Sequence, residues 1–236
     1  MTAPVRRWAV VPAAGRGERF GGRTPKQYAV LSGRAILSWT LGALLAERSV
    51  NGIMVAIAGG DRRWKRLPEA NDPRVQSCLG GGRREQSVAL ALQALEPVAR
   101  ESDWVLVHDA ARPCLSRGDL RRLIREVGND SVGGLLALPV SDTLKRDDGQ
   151  GRCSGTIARD SVWRALTPQM FRYGLLRRAL SLCLARQRSV TDEASAVETL
   201  GLRPILVRGQ AENLKVTDPQ DAALAAAILR GRESGR

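Results

Sequence analysis

An α/β fold is predicted for this 236-residue sequence: a mostly parallel twisted sheet with helices on both faces and a projecting β-hairpin arm. Three observations predict it. Short apolar runs bounded by glycine or proline alternate with longer segments of helical periodicity, the pattern of a parallel sheet covered on both sides. The glycine-rich or charged stretches after the first, third and fourth of those runs would meet at the carboxyl ends of the strands, where such sheets bind ligands. A polar segment, Ser141 to Asp160, interrupts the alternation and has the composition of a hairpin.

Trp8 to Val11 is too short for a helix and suits a buried strand, which Pro12 ends by removing a backbone donor. Ala35 to Glu47 has helical periodicity. Gly52 to Ala58 is a second apolar strand stopped by Gly59-Gly60, and Val75 to Leu79 a third stopped by Gly80-Gly81-Gly82. Arg84 to Leu95 is a helix and Trp104 to Val107 a fourth strand. Ser116 to Val127 is a helix with Ser116 as N-cap and Asp119 in its first turn, and Gly133 to Val140 is a fifth strand. In the hairpin, Thr143 to Arg146 and Ser154 to Ala158 flank the turn Asp147-Asp148-Gly149-Gln150-Gly151. Such a hairpin is marginal alone and usually packs on a partner. Trp163 to Gln169 leads into a helix from Tyr173 to Arg186. Thr191-Asp192-Glu193 opens another, with Thr191 as N-cap and two acids in the first turn. Arg203 to Val207 is a late strand, Pro219 to Leu229 a closing helix and Arg230 to Arg236 a frayed tail. No repeat or linker divides residues 1–236, which read as a single domain.

Hydrophobic residues make up 43% of the chain, enough for a sizeable core, and no apolar run approaches the ~20 residues of a membrane span. No apolar stretch follows the arginines near the N-terminus, which argues against a signal peptide. Cys78, Cys114, Cys153 and Cys183 lie far apart, which suggests a reducing cytoplasm and neither a zinc site nor a disulfide framework. The single histidine, His108, cannot build a metal cluster. A formal net charge of +13 raises the prospect of nucleic-acid binding. Yet the arginines are spread along the whole chain and aromatic residues are 4%, so a basic stripe interleaved with stacking rings is missing. A general preference for arginine explains the charge more simply. Of 37 basic residues only four are lysines, which makes Lys26 and Lys215 informative, because an ammonium is not interchangeable with a guanidinium fork.

Three stretches carry chemistry. After the first strand, Ala13, Ala14, Gly15 and Gly17 have almost no side chain, so backbone N–H groups can approach a ligand and form an anion-binding concavity. Arg16, Arg19 and Lys26 surround it with positive charge, as a triphosphate cradle requires. The Walker A pattern and the dinucleotide fingerprint both fail here, the second at Phe20, and a plain Gly-rich turn with surface arginines is the bland alternative. In His108-Asp109-Ala110-Ala111-Arg112-Pro113, an acid at a strand's carboxyl end could hold a metal, a ribose or a substrate hydroxyl, or simply cap a turn or pair with Arg112. In Gly80-Gly81-Gly82-Arg83-Arg84-Glu85-Gln86-Ser87, glycines before a helix permit backbone recognition and Ser87 could bond a base or ribose; an ordinary loop is the alternative.

Taken together, these stretches resemble a known family. Val11 to Arg19 with Pro25-Lys26-Gln27-Tyr28 resembles the nucleotide-sugar pyrophosphorylase type of nucleotidyltransferase, whose domain is Rossmann-like. Gly80-Gly81, Arg84 and Ser87, Val107 to Pro113, Leu166 to Gln169, Thr191 to Ala194 and Asn213 to Thr217 narrow the likeness to the 2-C-methyl-D-erythritol 4-phosphate cytidylyltransferase family, in order from Trp8 to Leu229.

The resemblance implies a reaction between CTP and 2-C-methyl-D-erythritol 4-phosphate that releases pyrophosphate, in non-mevalonate isoprenoid synthesis. The substrate phosphate attacks in line, so no enzyme nucleophile is needed, in keeping with a sequence that offers no catalytic triad. It implies that Arg19 and Lys26 stabilise charge on the phosphates, and that magnesium rides mainly on those of CTP. Ala13, Ala14, Gly15, Gly81 and Ser87 would bind the nucleotide. Asp109, Thr143, Arg159, Thr167 and Lys215 would hold the polyol phosphate. Thr143 and Arg159 sit at the base of the hairpin, which in this family exchanges between two subunits, so a cytoplasmic homodimer with shared sites is expected. Two rivals are the same fold acting on another polyol phosphate, such as ribitol 5-phosphate, and a basic nucleic-acid-binding protein.

Overall fold

The computed structural model describes residues 4–15 and 24–234. Its centre is a seven-stranded sheet. Strands β1 (Arg7–Pro12), β4 (Gly52–Ile57), β5 (Val75–Leu79), β6 (Trp104–Val107), β7 (Gly133–Pro139), β10 (Trp163–Arg172) and β11 (Ile205–Arg208) lie in the order β11-β7-β10-β6-β1-β4-β5. Every neighbouring pair is parallel except the two made by β10, which is antiparallel to both β6 and β7. Two short strands, β2 (Val30–Leu31) and β3 (Arg34–Ala35), form a separate hairpin, as do β8 (Leu144–Asp147) and β9 (Cys153–Ile157).

Alternation along the strands builds two cores. Ala9 and Val11 of β1, Ile53 and Val55 of β4 and Leu106 of β6 point to one face. There they meet Leu37, Leu41 and Leu44 of helix α1 (Ile36–Leu45) and Leu120, Leu123 and Val127 of α3 (Arg117–Val127). Val10, Met54, Val105 and Val107 point to the other, against α2 (Arg84–Leu95) and α4 (Tyr173–Ala185). Burial on both faces makes these strands read as continuous apolar runs. Helix α6 (Pro219–Ser234) packs Ala225 and Leu229 against Leu31 and Ile36. No helix among the described residues is long and apolar enough to cross a membrane.

Several boundaries differ from expectation. The largest difference is β10, ten residues that the sequence pattern leaves outside the strands. Pro168 cannot donate to a ladder, and the pairing with β7 shifts register between Ala165 and Gln169, so Leu166, Thr167 and Pro168 leave the sheet where the proline stands. The N-cap of α5 (Glu193–Glu198) is Asp192, not Thr191: its carboxylate accepts from Ser195 N–H at 2.9 Å, while the Ser195 hydroxyl faces Asp192 N–H in return. A carboxylate next to the positive end of a helix outcompetes a hydroxyl one residue earlier. The chain from Arg230 continues α6 to Ser234 instead of fraying there. Ser116 caps α3 as expected, accepting from Asp119 N–H at 3.0 Å. In the β8–β9 turn, Gly149 and Gly151 take φ of +87° and +80°, and Asp147 accepts from both of their N–H groups, which is why the turn carries those residues.

Candidate active site

The chain runs from β1 to β4 and β5 on one side, then returns to β6 on the other side of β1. Ligands bind at such a reversal, outside the carboxyl ends of the strands. There the described residues enclose a cavity of about 200 Å³, lined by the loops after β1, β5 and β6 together with Lys26 and Lys215.

The loop after β1 is anchored from both sides. Ala13 N–H donates to Ala56 O at 2.7 Å, and Ala13 O accepts from Gln27 Nε2 at 2.8 Å. Gln27 belongs to the turn Lys26–Tyr28, whose Tyr28 hydroxyl donates to Asp61 at 2.7 Å. Asp61 thus anchors this turn. The two anchors directly follow Lys26, which lines the cavity. Ala13, Ala14 and Gly15 line the same cavity. Arg16 and Arg19 lie outside the described residues.

The loop after β5 approaches Ala14 closely. A Cβ on Gly80 would lie 2.4 Å from the Ala14 Cβ and 3.0 Å from the Ser87 hydroxyl, so glycine is required by space. The Ser87 hydroxyl is 3.1 Å from Gly81 N–H and within 3.2 Å of the carbonyls of Gly81 and Arg83. These bonds hold the Gly81 backbone at the cavity, and Ser87 itself also lines it. Gly80→Ala is expected to push the two loops apart and destabilise the fold by roughly 1–3 kcal/mol, the cost of overpacking, read by urea unfolding.

Asp109 sits at the carboxyl end of β6 and gathers three cations. Arg84 Nε lies 2.9 Å from Oδ1, Lys215 Nζ 3.1 Å and Arg112 Nε 3.5 Å from Oδ2. Burial alone would raise the carboxyl's pKa, but the charges of Arg84, Lys215 and Arg112 outweigh it and hold the group ionised, well below the usual carboxylate range. The pairing with Arg112 and a ligand-facing role are thus compatible, since Asp109 also lines the cavity. Lys215 arrives from a distant segment: Val216 N–H donates to Ala111 O at 2.8 Å, Arg112 Nη1 to Asn213 O at 2.7 Å, and Asn213 Nδ2 to Thr167 O at 2.7 Å.

Behind Asp109, Thr167 is buried and outside the cavity lining. Its hydroxyl accepts from Asp109 N–H at 3.1 Å and lies 2.9 Å from His108 Nδ1. His108 Nε2 lies 3.2 Å from Arg112 O, which can only accept, so Nε2 carries the proton and Nδ1 accepts from Thr167. His108 is fully buried, and burial lowers its pKa from 6.5 to about 4, so it stays neutral. A folded-state pKa below the unfolded one means that the unfolded chain binds the proton first. The stability this neutral histidine contributes is complete above pH 6.5 and is lost as pH falls from 6.5 to about 4, a span on the order of 3 kcal/mol. His108→Gln is expected to show a shallower loss of stability than wild type across that window, read by urea unfolding at stepped pH.

Two residues of this cluster were not marked out by sequence. Arg84, quoted only as part of a pattern, puts Nη1 and Nη2 on both oxygens of Glu193, at 2.7 and 3.0 Å, while its Nε holds Asp109. Glu193 had been explained as a first-turn acid of α5. Thr143 and Arg159 are not brought to the cavity: both are exposed on and beside the β8–β9 hairpin, where Arg159 Nη1 donates to Ser141 O. Among the described residues no three histidine, cysteine or acidic side chains are grouped to hold a metal ion.

Comparison with known proteins gives one answer. Residues 8–231 match the family described as 2-C-methyl-D-erythritol 4-phosphate cytidylyltransferase. A protein of that name from Pseudomonas putida (strain GB-1) is 50% identical over 230 residues, 97% of this chain and 96% of the relative. One from Dechloromonas aromatica (strain RCB) is 51% identical over 230 residues, 97% of this chain and 99% of the relative. A crystal structure of 4-diphosphocytidyl-2C-methyl-D-erythritol synthase superposes with a TM-score of 0.85 at 39% identity, covering 96% of this chain and all of that one. With the loops after β1, β5 and β6, Lys26 and Lys215 lining one cavity and the likeness running nearly end to end, the chain belongs to the 2-C-methyl-D-erythritol 4-phosphate cytidylyltransferase family.

Proposed function

We propose that the chain transfers the cytidylyl group of CTP to 2-C-methyl-D-erythritol 4-phosphate. An oxygen of the polyol phosphate attacks the α-phosphorus of CTP, the bond to the β-phosphate breaks, and pyrophosphate leaves with that electron pair. The products are 4-diphosphocytidyl-2-C-methyl-D-erythritol and pyrophosphate, for isoprenoid precursor synthesis. The observation that carries this reading is the shared cavity. Small-residue loops and Lys26 line it together with Asp109, Arg84 and Lys215, and Arg112 pairs with Asp109 from outside the lining.

In this reading the backbone around Ala13, Ala14, Gly15 and Gly81 binds CTP, with Ser87 holding Gly81 in place. Lys26 and Arg19 neutralise charge that builds on the α-phosphate and the leaving pyrophosphate. Asp109 accepts hydrogen bonds from the polyol hydroxyls, Lys215 flanks it, and Thr167 fixes the Asp109 backbone. Magnesium, when bound, neutralises the CTP phosphates. The one carboxylate lining the described cavity, Asp109, is already held by cations, so the ion fits on the nucleotide, and no protein ligand is assigned to it. The enzyme works in the cytoplasm, with neither a membrane nor a nucleic acid as partner. The test is pyrophosphate release with CTP, magnesium and either methylerythritol phosphate or ribitol 5-phosphate. Higher kcat/KM with the first is expected; turnover confined to the second would reassign the substrate.

The same reading makes the protein a homodimer. The β8–β9 arm is almost wholly exposed, and a two-stranded hairpin does not hold itself. If it delivers Thr143 and Arg159 to a neighbour's cavity, each site draws Lys26 and Arg159 from different chains. Lys26→Ala and Arg159→Ala homodimers are then both nearly inactive. In a mixed dimer one site receives both changes and the other neither. Equal amounts reassorted at random make half the dimers mixed, so about a quarter of wild-type activity returns for a closed two-fold dimer. The variants are dissociated together, reassociated, checked for exchange by mass and assayed for pyrophosphate. Exchange without regained activity refutes the shared site.

A further inference from the structure

We infer that Glu193, outside the cavity at the start of α5, is a positioning residue for the polyol phosphate: its two-oxygen grip on Arg84 keeps Asp109 open to substrate hydroxyls. The inference rests on the polyol-phosphate reading above.

A guanidinium offers a carboxylate either its paired end nitrogens or its Nε side. Here Glu193 takes the end, with Nη1 and Nη2 at 2.7 and 3.0 Å, and Asp109 receives only Nε, at 2.9 Å from Oδ1. A carboxylate has about four acceptor positions. One bond from Arg84 and one from Lys215 leave positions for hydroxyls. With its end nitrogens released, Arg84 is free to turn a full two-nitrogen edge onto Asp109 and occupy those positions.

Glu193 is built to hold this arrangement. Its side chain is 1% exposed. Its helix is pinned to β10: Gln169 Oε1 accepts from Ala194 N–H at 2.8 Å, and Gln169 Nε2 donates to Asp192 Oδ2 at 2.8 Å. The same β10 segment presents the Thr167 hydroxyl to Asp109 N–H. Thus two sequence motifs outside the described cavity lining, Thr191 to Ala194 and Leu166 to Gln169, converge on the aim of one carboxylate. Glu193 also balances charge. Arg84 is shared between Asp109 and Glu193, while Arg112 and Lys215 pair with Asp109, and without Glu193 the whole charge of Arg84 would fall on Asp109.

The experiment measures KM for each substrate in Glu193→Gln, with melting temperature recorded alongside. The expected result is a rise of about tenfold or more in KM for methylerythritol phosphate, the scale of one lost charge-assisted hydrogen bond, with KM for CTP unchanged. A purely structural Glu193 would lower the melting temperature and the active fraction and leave both KM values alone, which overturns the inference, as does an equal rise in both. Glu193→Asp serves if the first variant fails to fold: it keeps the charge but draws back one methylene, and a smaller, still polyol-selective rise is expected. An unchanged polyol KM there overturns the inference. In an Arg84→Gln background, Glu193→Gln should no longer move the polyol KM; fully additive effects would show that Glu193 does not act through Arg84. Wild-type enzyme without turnover of methylerythritol phosphate sinks the substrate reading, whereas normal wild-type turnover with unshifted variants sinks this inference alone.

Discussion

Asp109→Asn is expected to lower kcat/KM for the polyol phosphate by roughly a hundredfold while CTP still binds. The substitution preserves shape but turns half of an acceptor-only group into a donor. It removes at least one charge-assisted bond to a substrate hydroxyl, worth roughly 1.5–3 kcal/mol each. It also leaves Arg84, Lys215 and Arg112 around a neutral group, although Arg84 keeps Glu193. Breaking a buried charge cluster from one side costs about 3 kcal/mol or more, so the variant should also melt earlier. Steady-state kinetics at a temperature where the variant is fully folded, with calorimetric titration of CTP, separates the two effects. Loss of CTP binding with an unchanged polyol KM would show that Asp109 faces the nucleotide instead.

Lys26→Arg is expected to lower kcat by an order of magnitude or more. The chain otherwise prefers arginine, yet keeps lysine in a turn whose neighbours, Gln27 and Tyr28, are tied to Ala13 and Asp61. That anchoring aims a point charge at the cavity wall, where a planar fork with fixed nitrogens has a different reach and shape. Removing a positioned transition-state donor costs roughly 10²–10³ in kcat elsewhere, and a misfitting replacement retains part of it. Single-turnover rates at saturating substrates measure the step directly. A wild-type rate would make Lys26 a generic surface charge.

The strands with apolar runs were legible because burial on both faces removes any polar interruption, and glycine or proline marks their ends. Helix α3 was legible from Ser116 and Asp119. Strand β10 was not, because its central Leu166-Thr167-Pro168 leaves the ladder and reads as a loop. Its antiparallel insertion between β6 and β7 is a tertiary fact that no local period records. At the site, Ala13 to Gly15, Gly81 and Asp109 could be read from loops at strand ends and Lys215 from the scarcity of lysine, and they do share one cavity. Glu193 could not, because its partner Arg84 lies 109 residues away and a first-turn acid already has a local explanation. Ser87, read from its place after the glycines, also lines the cavity, while its bonds to the Gly81 N–H and the Arg83 carbonyl could not be read from sequence. Thr143 and Arg159 were named through the family resemblance alone, and the cavity of one chain does not include them.

The central claim is a single transfer between two small molecules in one cavity. Its most direct test is a product balance by phosphorus NMR and mass spectrometry, after incubation of the enzyme with CTP, magnesium and methylerythritol phosphate. One pyrophosphate is expected for each diphosphocytidyl-methylerythritol, with no orthophosphate or CMP, and no pyrophosphate when the polyol phosphate is left out. Pyrophosphate and CMP released without the polyol, or a product lacking the phosphodiester link between the two substrates, would contradict it.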